Sequence, residues 1–240
     1  MLAHLKVYGQ CFGDALLPPG CTLCGSATTG ALLCAPCTVD LPWNNPSCPA
    51  CALPSATGAP CPACLQKPRA FDAAFAAFVL ASPVQQGIHA LKYKARFQQA
   101  SLLATAFASR LHHRAEPLPA LLIPAPLHWS RQWSRGYNQS LELARGIGSE
   151  LGIAVDTKAA KRLRHTPDQI GQTAAQRRRN LKNAFAVSPR VAGQHIALLD
   201  DVMTTGATLE ELTRACKAAG AARVEAWAIA RQPLNWHRTS

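Results

Sequence analysis

Four C-x-x-C pairs within the first 64 residues leave that part of the chain few ways to fold: Cys21/Cys24, Cys34/Cys37, Cys48/Cys51 and Cys61/Cys64. Nine residues separate the first pair from the second, and nine again the third from the fourth, with ten between the halves. One ribbon unit is thus used twice. A C-x-x-C knuckle brings two thiolates to one tetrahedral Zn2+, and a second knuckle completes a four-thiolate coordination shell. Gly and Pro around the pairs (CTLCG, CPAC) suit the tight turns of such knuckles. Large apolar residues are too scarce here for the segment to fold without a metal. A disulfide framework belongs to secreted domains, and MLAHLKVYGQCFGDALLPPG lacks a signal-peptide layout. A redox dithiol would not be needed in four copies. The expectation is two structural zinc ions with adjacent knuckles paired, although an interleaved pairing fits the spacing as well. Cys11 stands outside the pattern, and Cys216 falls on the apolar face of a helical stretch, where it reads as core.

Beyond about residue 68 cysteine gives way to apolar and basic patterns, so the chain divides into a ribbon module, 1–68, and a second domain, 69–240. No apolar run approaches the roughly 20 residues of a membrane span, which excludes membrane insertion by such a helix and makes a cytoplasmic protein the expectation. The net charge of +12 is unevenly placed: residues 91–190 hold 17 Lys/Arg and 5 Asp/Glu, while the rest of the chain has eight of each. A basic excess confined to one stretch suits an anionic partner, a phosphorylated ligand or nucleic acid.

Coarse patterning orders the second domain. FAAFVLA (75–81) reads as a strand, and a helical stretch opens at Pro83 with a break near Lys94 to Phe97. ALLIPAP is a short buried strand, and Asn138 caps a helix with Leu141, Ala144, Ile147 and Leu151 on one face. After short basic strands in 153–164, RHTPDQIGQTAAQRRRN reads as an exposed loop. FAV, IALLDD and VEAWAIA read as further strands, with the helix TLEELTRACKAAG between the last two and Gly220 as its stop. Strands alternating with helices imply an α/β class with a parallel sheet flanked by helices.

Residues 196–208, IALLDDVMTTGAT, then become interpretable. A strand, a Gly-containing turn and a helix place this loop at the carboxyl end of a parallel strand, where open α/β sheets bind ligands. Amides and hydroxyls of Thr204, Thr205, Gly206, Ala207 and Thr208 at the helix start suit a phosphate. Asp200 and Asp201 would repel that phosphate, so they fit ribose hydroxyls, directly or through Mg2+. The stretch reads as a ribose-5-phosphate cradle.

IALLDDVMTTGAT resembles the phosphoribosyl pyrophosphate (PRPP) signature of type I phosphoribosyltransferases, in the form found in the ComF competence-protein family. The resemblance extends through the doubled C-x-x-C module, ALKYKARFQQA, LIPAPLHWSRQWSRGYNQSLELA and RHTPDQIGQTAAQRRRNLKNAF. It implies a type I phosphoribosyltransferase fold with an N-terminal double zinc ribbon. Asp200 and Asp201 would hold the ribose hydroxyls and act in catalysis, and Thr204 to Thr208 would hold the 5-phosphate. Arg131, Arg135 and Gly136 match the pyrophosphate loop, and Arg177, Arg178 and Arg179 match a mobile flap. Lys92 and Lys94 either reach a bound phosphate or lie on a solvated helix face.

Two functions from different classes follow. One is pentosyl transfer from PRPP with Mg2+ to an unidentified acceptor, within competence and the handling of transforming DNA or in nucleotide salvage. The other is a non-catalytic adaptor that holds single-stranded DNA and engages a competence helicase or other DNA-processing proteins.

Overall fold

The computed structural model describes residues 20–112, 114–127, 136–163 and 183–233. The chain divides between Leu41 and Pro42 into two compact units. The first contains Cys21, Cys24, Cys34 and Cys37 with one short helix, α1 (Ala35–Val39).

The second unit opens with the other ribbon, which contributes α2 (Pro62–Gln66). It continues as β1 (Ala73–Val79), α3 (Val84–Lys94), α4 (Phe97–Ser109), β2 (Leu121–Pro124), α5 (Gln139–Leu151), β3 (Ala154–Val155), β4 (Ala160–Arg162), β5 (Phe185–Val187), β6 (His195–Met203), α6 (Ala207–Ala218) and β7 (Arg223–Arg231). Five strands form a parallel sheet in the order β1-β7-β6-β2-β3. The expected parallel sheet is present, and FAV is a strand as read but lies outside that sheet. That strand, β5, pairs antiparallel with β4 in a separate two-stranded sheet. Three residues carry too short a pattern to identify a strand's partner.

The central strands are buried on both faces, hence their nearly continuous apolar runs. On one face Phe107 of α4 packs edge-on against Phe75 and tilts against Trp227, with centroids 5.0 and 5.7 Å away. On the other, Leu209, Leu212 and Cys216 of α6 join Ala226 and Ala228 in the core. Burial raises the Cys216 thiol to about 12, which leaves it unreactive, as its helix-face position implied. The α3–α4 break falls at Ala95, whose φ of 49° ends α3 in the left-handed region.

An exposed edge on β1 would invite pairing with another chain. Here the second ribbon covers it. Asn44 N donates to Ala77 O, Ala74 N to Pro49 O and Val79 N to Pro42 O, while Asn44 Nδ2 reaches both Ala52 O and Ala76 O.

From β2 the chain turns outward to β3, whereas from β6 it turns the other way to β7. The carboxyl ends of β2 and β6 thus flank the point where winding reverses, the place where open α/β sheets bind ligands. Helices α5 and α4 pack closely beside it. A Cβ at Gly146 would lie 2.6 Å from Ala104 Cβ, which has no flexible end to move aside. Gly146→Ala gains about 1 kcal/mol in helix propensity, but the overlap costs about 1–3 kcal/mol. The expected net result in urea unfolding is a lower midpoint with unchanged slope; a raised midpoint would show that the interface yields.

Candidate functional site

The two four-cysteine groups are Cys21, Cys24, Cys34, Cys37 and Cys48, Cys51, Cys61, Cys64, so adjacent knuckles pair and the interleaved scheme is ruled out. All Sγ atoms of a group lie within 4.8 Å of one another. Tetrahedral Zn–S bonds of about 2.3 Å place sulfurs about 3.8 Å apart. Cys24 and Cys34 stand at 3.6 Å and Cys51 and Cys61 at 3.7 Å, so both groups fit Zn2+. Cys61 N also donates to Cys48 Sγ at 3.3 Å, an outer-shell bond that orients a ligand.

The second constellation lies at the point where winding reverses. Asp200 and Asp201 occupy the last turn of pleat in β6, so their side chains leave on opposite sides. Asp201 is buried, while Asp200 keeps partial solvent access. Lys92 Nζ lies 2.8 Å from Asp201 Oδ2, which receives no hydrogen bond, so this contact is an ion pair without hydrogen-bond alignment. Asp200 Oδ1 accepts from Asp201 N at 2.9 Å and from Ser140 Oγ at 3.3 Å. Burial, then the charge of Asp201, raises the Asp200 carboxyl to about 6; Lys92 and the two hydrogen bonds offset only part of this.

Three elements converge to make that arrangement. Asn138 Oδ1 caps α5 by accepting from Ser140 N, and its Nδ2 donates to Ala125 O just beyond β2, which sets Ser140 beside Asp200. Tyr137 donates its hydroxyl to Leu91 O and packs edge-on against Phe97, fixing the α3–α4 corner that carries Lys92. Gly206 supplies the αL residue that starts α6, with φ 80°, and Thr205 Oγ1 accepts from Ala207 N. The amides of Thr204, Thr205 and Gly206 donate to no backbone carbonyl among the described residues. Donors left open at a helix start make an anion-accepting end.

Of the sequence-derived site residues, Lys92, Asp200 and Asp201 come together, with Thr204 to Thr208 following on the loop and first turn of α6. Lys92 lies on no solvated face: it is the counter-charge of Asp201. Lys94 is exposed, as is Gly136, whose φ is 76°. Arg131, Arg135, Arg177, Arg178 and Arg179 lie outside the described residues. Ser140 and Tyr137 were missed in the sequence. Ser140 was accessible as the residue two beyond the cap; nothing local marks Tyr137.

Because Asp200 titrates higher in the folded chain than the usual 3.8, the native state binds the additional proton between about pH 4 and 6. Stability therefore falls as pH rises through that window, by at most about 3 kcal/mol. Asp200→Asn removes the penalty. The expected thermal melts show the variant more stable than the parent at pH 7.5 and equal to it at pH 4. A less stable variant at pH 7.5 would mean that the carboxylate is already compensated.

Comparisons with known proteins agree with this layout. Residues 12–65 match the double zinc ribbon domain and residues 135–238 the phosphoribosyl transferase domain. The chain is 35% identical over 204 residues to the DNA utilization protein YhgH of Escherichia coli O157:H7, covering 83% of this chain and 90% of that one. It is 39% identical over 132 residues to Competence protein F of Haemophilus influenzae, covering 54% and 57% of the two chains. Among solved structures it is similar to glutamine PRPP amidotransferase from B. subtilis, at 17% identity and a TM-score of 0.38 over 54% of this chain and 26% of that one. A doubled ribbon followed by this domain, shared along most of the length of YhgH, shows that the chain belongs to the ComF family of phosphoribosyltransferase-like proteins.

Proposed function

We propose that this site binds PRPP and that the chain is a phosphoribosyltransferase acting in the handling of DNA. What supports this is the pairing, at one switch point, of open amides at Thr204 to Gly206 with two adjacent carboxylates at the strand end, Asp200 and Asp201. A phosphate meets the first and sugar hydroxyls meet the second. Asp200 and Asp201 accept hydrogen bonds from the ribose, and their charge stabilises positive character building at the anomeric carbon as pyrophosphate leaves. Lys92 places a positive charge 2.8 Å from Asp201 Oδ2, beside the second carboxylate. Mg2+ entering with PRPP would neutralise the leaving pyrophosphate, and the oxygen donors of an aspartate pair suit such a hard cation. In the same reading Arg131, Arg135 and Gly136 grip pyrophosphate, Lys94 adds to the positive rim, and Arg177 to Arg179 close over the centre. The functional division at about residue 68, metal ribbon before and phosphoribosyl cradle after, belongs to this proposal, as does a cytoplasmic location. Among the described residues no helix is long and apolar enough to cross a membrane.

Isothermal titration of the full chain with PRPP and Mg2+ is expected to show one site, weakened at least tenfold by Asp201→Asn. No heat with the parent protein would overturn the binding reading; binding with no pyrophosphate released across a panel of bases and amines would overturn transfer alone.

A second reading, single-stranded DNA held at the same face, is favoured by exposed Tyr93 and Phe97 interleaved with Lys94 and Arg96 beside Lys92. The names of the relatives, DNA utilization protein and Competence protein F, point the same way. It predicts affinity for an oligonucleotide that drops steeply with salt and falls in a Tyr93→Ala/Phe97→Ala variant; salt-independent binding would count against it.

A further inference from the structure

Arg231 ends β7 and is only 2% exposed, yet among the described residues its guanidinium forms no ion pair with a carboxylate. It donates to carbonyls instead. Nε reaches Cys51 O at 2.9 Å, and Nη1 reaches Met203 O at 2.8 Å, Gln232 O at 3.0 Å and Thr204 O. A buried cation needs compensating charge nearby. Four thiolates around one Zn2+ leave a net charge of about −2, and this group, Cys48, Cys51, Cys61 and Cys64, contains the residue whose carbonyl Arg231 holds.

A second arginine acts at the other end. Arg69 follows the last cysteine of this group by five residues, and its Nη1 donates to Glu210 Oε1 at 2.8 Å. Glu210 lies in the first turn of α6, where its amide donates to Gly206 O at 2.8 Å. Thus Arg231 grips the entrance of the 203–210 segment and Arg69 grips its exit.

The effect on the loop follows from peptide geometry. In a trans peptide C=O and N–H point to opposite sides. With the carbonyls of Met203 and Thr204 turned onto Arg231, the amides of Thr204 and Thr205 face away from it, the same amides that lack a backbone acceptor.

We propose that the second four-cysteine group is a positioning element for the phosphate loop: Arg231, buried against Cys51, offsets the charge of the metal-bound thiolates and holds the entrance of residues 203–210, while Arg69, next in the chain after the ribbon, holds the exit, so that the loop stays in anion-accepting form. The proposal rests on the reading of that loop as a phosphate site, but its coupling is measurable without any ligand.

Hydrogen exchange on the full zinc-loaded chain supplies the measurement. The Glu210 and Gln232 amides donate to Gly206 O and Met203 O, so their peptides report whether the loop is held. Zinc content is counted in parallel, and Cys34→Ser, which removes a ligand in the other unit, sets the baseline for metal loss as such. Cys61→Ser, with one zinc ion lost, and Arg231→Met, with both retained, are each expected to speed exchange in these peptides at least tenfold over that baseline. Exchange within twofold of the parent in either variant overturns the proposal. Should Arg231→Met fail to fold, Arg69→Gln at a partly exposed position tests the exit of the loop, and unchanged exchange at Glu210 there overturns it equally. Absent PRPP binding with altered exchange overturns only the phosphate reading; intact PRPP binding with unchanged exchange overturns only the coupling.

Discussion

Two buried carboxylate centres at opposite ends of the same sheet are treated in opposite ways, and that contrast organises the molecule. At the amino end of β7, Glu225 is 2% exposed. It accepts a bidentate pair from Arg114 at 2.9 and 3.0 Å, with further bonds from His195 Nε2 and Trp227 Nε1, each at 2.9 Å. Burial pushes its carboxyl upward, but these donors win and hold it below the usual range. At the carboxyl end of β6 two acids share one lysine, and Asp200 is raised to about 6. A fold able to over-supply Glu225 with donors leaves Asp200 and Asp201 short of them. That shortage is what a site for a hydroxylated or cationic ligand requires.

The ribbons repeat in sequence and in local structure, since Cys21 N donates to Ser26 O as Cys48 N does to Leu53 O and each ribbon ends in a five-residue helix, but their surroundings differ. One falls in the first compact unit and the other in the second. There its chain from Pro42 to Ala52 closes the open edge of β1, and Ala52 enters the main core. Edge closure matters in a sheet with only five strands, because β3 at the other end is two residues long and exposes little backbone.

Much of this was legible in the residues because it depends on local chemistry. The cysteine spacing specified two tetrahedral sets, apolar runs located the parallel strands, Asn138 marked a cap, and the acid pair before Thr-Gly-Ala-Thr marked the candidate site. What escaped depends on contacts between distant segments. Lys92 and Asp201 are more than 100 positions apart, and no local pattern announces their ion pair. Arg231 follows an apolar strand and looks like a surface residue marking its end; its burial is set by Cys51, 180 positions earlier. FAV was legible as a strand but its partner was not, since strand pairing is a property of two segments and its partner, β4, is as short as itself.

In the proposed phosphate-binding reading, the loop at 203–210 itself explains why such distant support is needed. A helix start that is to receive an anion must leave its amides unbonded, which removes the contacts that would ordinarily order it. The carbonyls on the reverse side are then the only backbone groups left to fix its shape, and they need donors that water would otherwise supply. In this chain the donors come from Arg231, which is held between the loop and Cys51 O, and the first turn of α6 is tied through Glu210 to Arg69. Arg231 is long enough to span ribbon and loop, and arginine stays charged in a buried setting where lysine is readily neutralised. Rigidity at the ligand-facing side is thus imported from the far side of the loop, through carbonyl oxygens rather than through residues that would occupy the site.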